Sequence, residues 1–346
     1  MRRPARILLA TDAWHPQVNG VVRTLSHVKD ELQRGGDTVH VVSPEGRRSF
    51  GLPTYKEIRL AFPSARTIAR EVEDFGPNAI HIATEGPVGI AVRRHCLRHG
   101  LPFTTGYHTR FPEFAAARAP RLAKPATTRG FYRLMKMFHA PSSCVLTPTQ
   151  SIADDLTARG FRKVRAWTRG VDHAVFRDIP ENERVAYEGE PPFLINCGRI
   201  AVEKNVEAFL NADVPGTKIV IGDGPARGAL EKRHPQARFL GYRFGEDLAR
   251  HLAGGDAFVF PSKTDTFGLV MIEAMACGLP VAAHPVPGPI DVVEHERSGW
   301  LADDLAEAIR GALTLDRTSA LERAQAFTWA ETTRQLRDAL VEIAPT

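Results

Sequence analysis

Short apolar runs alternate with longer amphipathic stretches along most of the 346-residue chain. Ile7-Leu8-Leu9-Ala10 lies in a run, 6–11, that reads as a buried strand, and the apolar positions over 21–33 return with helical spacing. The same alternation predicts strands over 38–42, 79–83, 103–106, 143–147 and 164–167, with helices over 65–73, 87–99 and 151–158 between them. Strands separated by helices of this length argue for βαβ units and parallel sheets. The pattern lapses over 178–192, where acids, Pro and Gly dominate, and resumes with strands at 193–197, 218–221 and 257–260. The expectation is an α/β protein with a first domain over 1–176, a linker over 177–190, a second domain over 191–327 and a C-terminal helical stretch over 328–346.

Composition adds two constraints. The chain is 43% hydrophobic and 25% charged, as in an ordinary soluble protein. Cys96, Cys144, Cys197 and Cys277 form no CxxC and no metal-ligand spacing, so they read as small buried hydrophobes in a reducing compartment. The apolar run 7–10 is too short for a signal-peptide core or a membrane span, and a cytoplasmic location is expected.

The net charge of +5 is unevenly placed. Residues 1–175 hold 27 Lys+Arg against 14 Asp+Glu, whereas 176–346 hold 18 against 26. A basic half on an acidic half suggests that one domain meets an anionic surface. No nucleic-acid recognition motif occurs, and a membrane rich in anionic lipid fits better. The segment 115–140 sharpens this reading, with Arg118, Arg121, Lys124, Arg129, Arg133 and Lys136 among Phe131, Tyr132, Leu134, Met135, Met137 and Phe138. Such a composition suits an interfacial helix, although an aromatic and Met stripe at helical spacing is more often core.

Candidate chemistry sits where strands end. Pro261 to Pro280 follows an apolar strand, and 268–277 reads as a helix with Leu269, Ile272, Met275 and Ala276 on one face. Asp265 and Glu273 are eight residues apart, roughly 12 Å along a helix at about 1.5 Å per residue. That spacing is too long for one hydroxyl but matches the span from a sugar across a diphosphate to a ribose. Two solvated acids would leave the same trace. Arg199 and Lys204 flank the start of the next helix, where fixed cations suit a diphosphate; Lys204 equally well pairs with Glu203 or Glu207 on the surface. Gly222-Asp223-Gly224-Pro225 is a tight turn after a strand, and Gly20 opens the first helix as a turn glycine or as a site of close phosphate approach. The loop 12–20 lacks GxGxxG, which argues against an ordinary dinucleotide enzyme. His108, in Tyr107-His108-Thr109-Arg110-Phe111, stands at a strand end where an imidazole can hydrogen-bond a hydroxyl, although lone histidines are more often structural.

These motifs together resemble the retaining glycosyltransferases of family 4, which have the GT-B fold of two Rossmann-like domains facing across a cleft. Asp265-Thr266-Phe267-Gly268 and Glu273-Ala274-Met275-Ala276 match the family's acid–seven–Glu signature, with Asp where most members carry Glu. Arg199 and Lys204 match its Gly-Arg…Lys pair, Gly222-Asp223-Gly224-Pro225 its Gly-x-Gly-Pro, Asn19-Gly20-Val21-Val22 its donor-side glycine loop, and Arg169-Gly170-Val171-Asp172 its Gly-Val-Asp segment. Tyr107 to Phe111 is similar to the branch with sulfoquinovosyl- and glycosyl-diacylglycerol synthases and lipid-directed mannosyltransferases.

The resemblance implies transfer of a hexosyl group from a UDP- or GDP-hexose to a lipid acceptor such as diacylglycerol. It implies His108 near the donor sugar's reacting carbon, Gly20 on the donor diphosphate, and Arg199 and Lys204 on the same diphosphate. Gly222, Asp223 and Gly224 would form the nucleotide's floor, Asp265 with Thr266, Phe267, Gly268 and Leu269 would orient the sugar, and Glu273 would hold the ribose. Retention by front-face substitution is expected, with no cofactor, since Asp-x-Asp is absent and the cations can neutralise the leaving group. The stretch 328–346 is expected to cross back to the first domain, and the protein to sit peripherally on the inner face of the cell membrane. A soluble family-4 enzyme on a saccharide acceptor, a sugar-nucleotide 2-epimerase and a non-catalytic nucleotide-sugar-binding subunit are the alternatives.

Overall fold

The computed structural model describes residues 4–17, 19–52, 55–110 and 124–344, with side chains left out at 52, 55–58 and 124. Arg118, Arg121 and Phe111, singled out above, lie outside the described residues. The chain divides into two compact units, 1–168 with 329–346 and 169–328.

The first unit is built on β1 (Arg6–Ala10), β2 (Thr38–Val42), β5 (Ala79–Ile82), β6 (Thr104–Gly106), β7 (Val145–Thr147) and β8 (Val164–Ala166). They form one parallel sheet in the order β2-β1-β5-β6-β7-β8. Leu8, Ala10 and Ile82 on one face pack with Ile68, Val72, Val88, Val92 and Phe138 from helices Ala65–Phe75, Pro87–His99 and Lys124–His139. The opposite face holds Ile7 and Leu9 against Leu25, Val28 and Leu32 of helix Gly20–Arg34. Such two-sided burial explains why these strands read as continuous apolar runs rather than alternating ones.

Between β2 and helix Ala65–Phe75 an antiparallel hairpin intervenes, β3 (Ser49–Leu52) with β4 (Tyr55–Ala61), which the hydrophobic pattern did not predict. Gly51, Pro53 and Lys56 interrupt the alternation that would have marked it. Helix Lys124–His139 divides the aromatic and Met stripe between both expectations: Tyr132, Met135 and Phe138 are buried, while Phe131, Leu134 and Met137 face solvent. No helix among the described residues is long and apolar enough to cross a membrane.

The second unit repeats the plan with β9 (Phe193–Cys197), β10 (Thr217–Ile221), β11 (Arg238–Gly241), β12 (Ala257–Phe260), β13 (Val281–Ala283) and β14 (Gly299–Leu301). Its parallel order is β11-β10-β9-β12-β13-β14. The stretch expected as a linker is packed onto this unit. Within it Ile179 enters the core, as do Val171 and Phe176 just before it, Val185 N–H donates to Arg250 O at 3.1 Å, and the Tyr187 hydroxyl donates to His251 O at 2.9 Å. Apolar anchors spaced without a period, among acids and prolines, carry no helix or strand signal.

Helix Trp329–Ala339 belongs to the first unit. Leu336 and Ala339 join the core beside Leu25, the Trp167 indole N–H donates to Thr332 O at 2.7 Å, and Trp329 stacks on His27 at 4.4 Å. The helix ends at Ala339, inside the expected 328–346 stretch, and beyond it Ile343 N–H donates to Asn78 O at 2.8 Å. Asp37 ties this end down, accepting from Arg337 Nε at 2.9 Å and from Ala5 N–H at 2.6 Å, with both side chains largely buried. Asp37→Ala leaves that guanidinium without its counter-charge, and urea denaturation is expected to register a loss of about 3 kcal/mol.

Candidate functional site

In a parallel sheet, ligands gather at the carboxyl edge where the strand order reverses. In the second unit that point lies between β9 and β12, the strands followed by Gly198-Arg199 and by the 261–268 loop. Three side chains bridge the two loops. Asn205, at φ 55°, donates from Nδ2 to Pro261 O at 3.1 Å; the Thr264 hydroxyl donates to Glu203 O at 3.3 Å; and Lys204 Nζ meets Asp265 Oδ1 at 2.6 Å. The alternative pairings of Lys204 are not made, and Glu207 instead pairs with Arg233. Lys204 and Asp265 are partly buried, and Asp265 Oδ2 is buried with no hydrogen-bond partner among the described residues. An acceptor left so costs about 1–3 kcal/mol.

The backbone around this pair is held by glycine. Gly222, at φ 134°, would place a Cβ 1.9 Å from Gly198 O, so the turns after β9 and β10 lie against each other. Gly198 N–H donates to Ile221 O at 2.9 Å and Ile200 N–H to Asp223 O at 2.9 Å. Asp223 is engaged locally, accepting from Gly224 N–H at 2.7 Å and from Arg227 at 3.0 Å. Gly268, at φ 84°, precedes helix Leu269–Ala276, and Met271 N–H of its first turn donates to Gly268 O at 2.9 Å. Phe267 is buried, and Thr266 and Leu269 are half-buried. Glu273 lies one turn inside this helix, 2% exposed among apolar neighbours, and burial, with the Glu273 charge adding to it, pushes the Cys277 thiol up to about 12.

The first unit reverses its order between β1 and β5. Here Gly20 is the first residue of its helix, which Asn19 caps by accepting from Val21 N–H and Val22 N–H at 3.0 Å each. His108 follows β6, is 8% exposed, and lies edge-on to Trp167 at 5.6 Å. A Cβ on Gly106 would come 2.6 Å from its Nε2, so the glycine makes room for the ring.

Several polar groups at these edges escaped the reading of the sequence. Asp12 accepts from Val88 N–H at 2.9 Å, Gly89 N–H at 3.3 Å and the Thr84 hydroxyl at 2.8 Å, yet burial outweighs them and raises its pKa. Glu85 and His139 form a buried pair at 3.2 Å. His284, after β13, is buried, and burial with nearby Lys263 lowers its pKa and favours neutral imidazole. Gly288 approaches Asp265 O and Phe267 from the loop beyond it. For Asp12, Glu85 and His284 the only sequence signal was a polar residue closely following an apolar strand.

Two Rossmann-like units with cations and acids at the second unit's reversal point define a glycosyltransferase of the GT-B type. Residues 18–175 match Glycosyltransferase Family 4 and residues 191–315 match Glycosyl transferases group 1. A GDP-mannose-dependent alpha-mannosyltransferase of Mycolicibacterium smegmatis is 30% identical over 86% of this chain and 84% of its own. An alpha-monoglucosyldiacylglycerol synthase of Streptococcus pneumoniae is 25% identical over 89% and 78%. The structure of a sucrose-phosphate synthase from Thermosynechococcus elongatus superposes with a TM-score of 0.78 at 20% identity, covering 97% of this chain and 98% of that one. The chain belongs to glycosyltransferase family 4, and it is a hexosyltransferase that uses a nucleotide sugar.

Gly222→Ala forces a Cβ into the Gly198 carbonyl. Its expected cost is about 3 kcal/mol of stability, read as a lower Tm, together with weaker nucleotide binding by calorimetry.

Proposed function

We propose that the protein moves a hexosyl group from a UDP- or GDP-hexose to a lipid acceptor of the diacylglycerol type, with retained configuration and without a metal ion. The carrying observation is the Lys204–Asp265 pair across the reversal point, with Asp265 Oδ2 still lacking a donor among the described residues. A sugar hydroxyl would satisfy that oxygen. Lys204 has three N–H donors, so it can keep Asp265 and still meet a phosphate.

In this reading Glu273 accepts from the ribose hydroxyls, Arg199 and Lys204 stabilise the diphosphate, and Gly20 and Gly222 to Gly224 allow close approach to the nucleotide. Asp265, one methylene shorter than the family's usual Glu, orients the sugar with the N–H groups of 266–269, and His108 hydrogen-bonds the sugar near its reacting carbon. The bond from C1 to the diphosphate oxygen breaks and its electron pair stays on the diphosphate. The acceptor oxygen bonds C1 on the same face, and its proton passes to the departing phosphate oxygen. No carboxylate is assigned to the opposite face, so no glycosyl–enzyme bond is invoked.

A lipid acceptor is supported by the likeness to an alpha-monoglucosyldiacylglycerol synthase, by the basic first half, and by exposed Phe131, Leu134 and Met137 beside Arg129, Arg133 and Lys136. The location that follows is the inner face of the cell membrane, peripherally bound.

The test supplies labelled UDP- and GDP-hexoses to protein and membranes with chelator present. Label in the organic extract is the expected result. A new water-soluble glycoside would replace the lipid by a saccharide acceptor, altered free sugar nucleotide would indicate epimerisation, and donor binding without turnover would indicate a binding subunit. Restoration of activity only by added divalent metal would overturn the metal-free mechanism. Arg199→Ala is expected to lower kcat about a hundredfold, as loss of a group stabilising transition-state charge does; an unchanged kcat removes it from that role.

A further inference from the structure

The hairpin of the first unit carries an apolar feature that the donor chemistry does not use. Phe50 on β3 and Phe62 just past β4 stack with ring centroids 5.7 Å apart and planes 11° from parallel, yet stay 55% and 67% exposed. Phe50 stands opposite Leu60, and Phe62 is two residues further along, so both rings share one face of the hairpin. Arg59 is on the other face, where its guanidinium donates to the Ser49 hydroxyl at 2.8 Å and to Ser49 O at 3.0 Å. Two-stranded hairpins are barely stable alone. Two bare rings on one are a poor arrangement in water unless something covers them.

The charge around the rings says what that is. Residues 45–70 contain six Lys+Arg and two acids, and Arg48, Arg59, Arg66 and Arg70 are exposed. The hairpin joins the carboxyl end of β2 to the start of helix Ala65–Phe75, so it hangs from the sheet edge that also carries His108. Helices Ala65–Phe75, Pro87–His99 and Lys124–His139 cover one face of that sheet, and Arg93 of the second donates to Phe138 O of the third at 2.8 Å. The layer thus carries exposed Phe131, Leu134 and Met137 on the helix Lys124–His139.

We propose that Phe50 and Phe62 form a docking wedge that enters an anionic lipid surface, with the surrounding arginines meeting the headgroups. The inference deepens the lipid-acceptor reading and rests on it. Aromatic rings beside basic side chains are the combination favoured at a lipid–water boundary. A second copy of the chain fits less well. At ~200 Å² per Phe side chain the two rings expose about 250 Å², against about 800 Å² per partner for a stable interface.

The test compares wild-type protein with Phe50→Ser/Phe62→Ser in sedimentation with phosphatidylcholine vesicles, with and without phosphatidylglycerol. Wild type is expected to bind the anionic vesicles, less at high salt, and the double variant to partition at least about tenfold more weakly. Its transfer to acceptor dispersed in detergent micelles is expected to persist, which excludes misfolding as the cause. Phe62→Trp supplies a second readout, with tryptophan emission shifting to the blue on anionic vesicles. Undiminished vesicle binding by the double variant, or emission from the Phe62→Trp protein that vesicles leave unchanged, would overturn the wedge. Loss of lipid labelling in micelles for wild type, with hairpin-dependent vesicle binding intact, would sink the acceptor reading and leave the docking surface standing.

Discussion

The ion pair between Lys204 and Asp265 closes the gap that a parallel sheet opens where its strand order reverses. Strands β9 and β12 are neighbours, but the chain leaves them in opposite lateral directions, so their loops would otherwise diverge. With Asn205 on Pro261 and Thr264 on Glu203, the pair joins segments some 60 residues apart in sequence into one wall. Its worth lies in placement more than in stability, because a half-buried pair offsets much of its attraction by desolvation. It holds a cation and an acid at a fixed separation beside a helix N-terminus before any ligand arrives, which is the preorganisation that charge stabilisation requires.

That wall depends in turn on backbone contacts that only glycine permits. The carbonyl of Gly198 lies where a side chain at position 222 would begin, so the turns after β9 and β10 stack main chain on main chain. Behind them, helix Leu269–Ala276 brings an acid into an apolar layer, where Glu273 is almost fully buried. The first unit uses a buried carboxylate differently. Asp12 serves the start of helix Pro87–His99 through Val88 and Gly89, bridging the reversal between β1 and β5 with a side chain rather than an ion pair.

The two units divide their surfaces as they divide their charge. The basic excess of the first half surfaces partly beside exposed apolar groups, on the hairpin and along helix Lys124–His139. Exposed Phe, Leu and Met on an otherwise well-filled domain are informative because its core had room for their neighbours Tyr132, Met135 and Phe138. The acidic second half engages acids in ion pairs both within a helical turn, as in Arg227–Asp223, and across the chain, as in Arg323–Glu294.

By itself the sequence determined the α/β class and the alternation of strands and helices, and it marked Asp265, Glu273, Arg199 and Lys204 as polar groups at strand ends. These are matters of local period and short spacing, and buried parallel strands announce themselves as apolar runs. It did not determine the hairpin over 49–61, whose alternation is broken by Gly and Pro, nor the attachment of 177–190, whose anchors Ile179 and Tyr187 follow no period. Strand order is equally invisible in local pattern, and strand order is what makes the ends of β9 and β12 neighbours. Only the tertiary structure decided that Lys204 meets Asp265 rather than Glu207, that His284 and Gly288 lie close to the 263–267 loop, and which half of the aromatic stripe faces water. Each of these is a contact between residues far apart in the chain, set by which strands pair and which helices cover them.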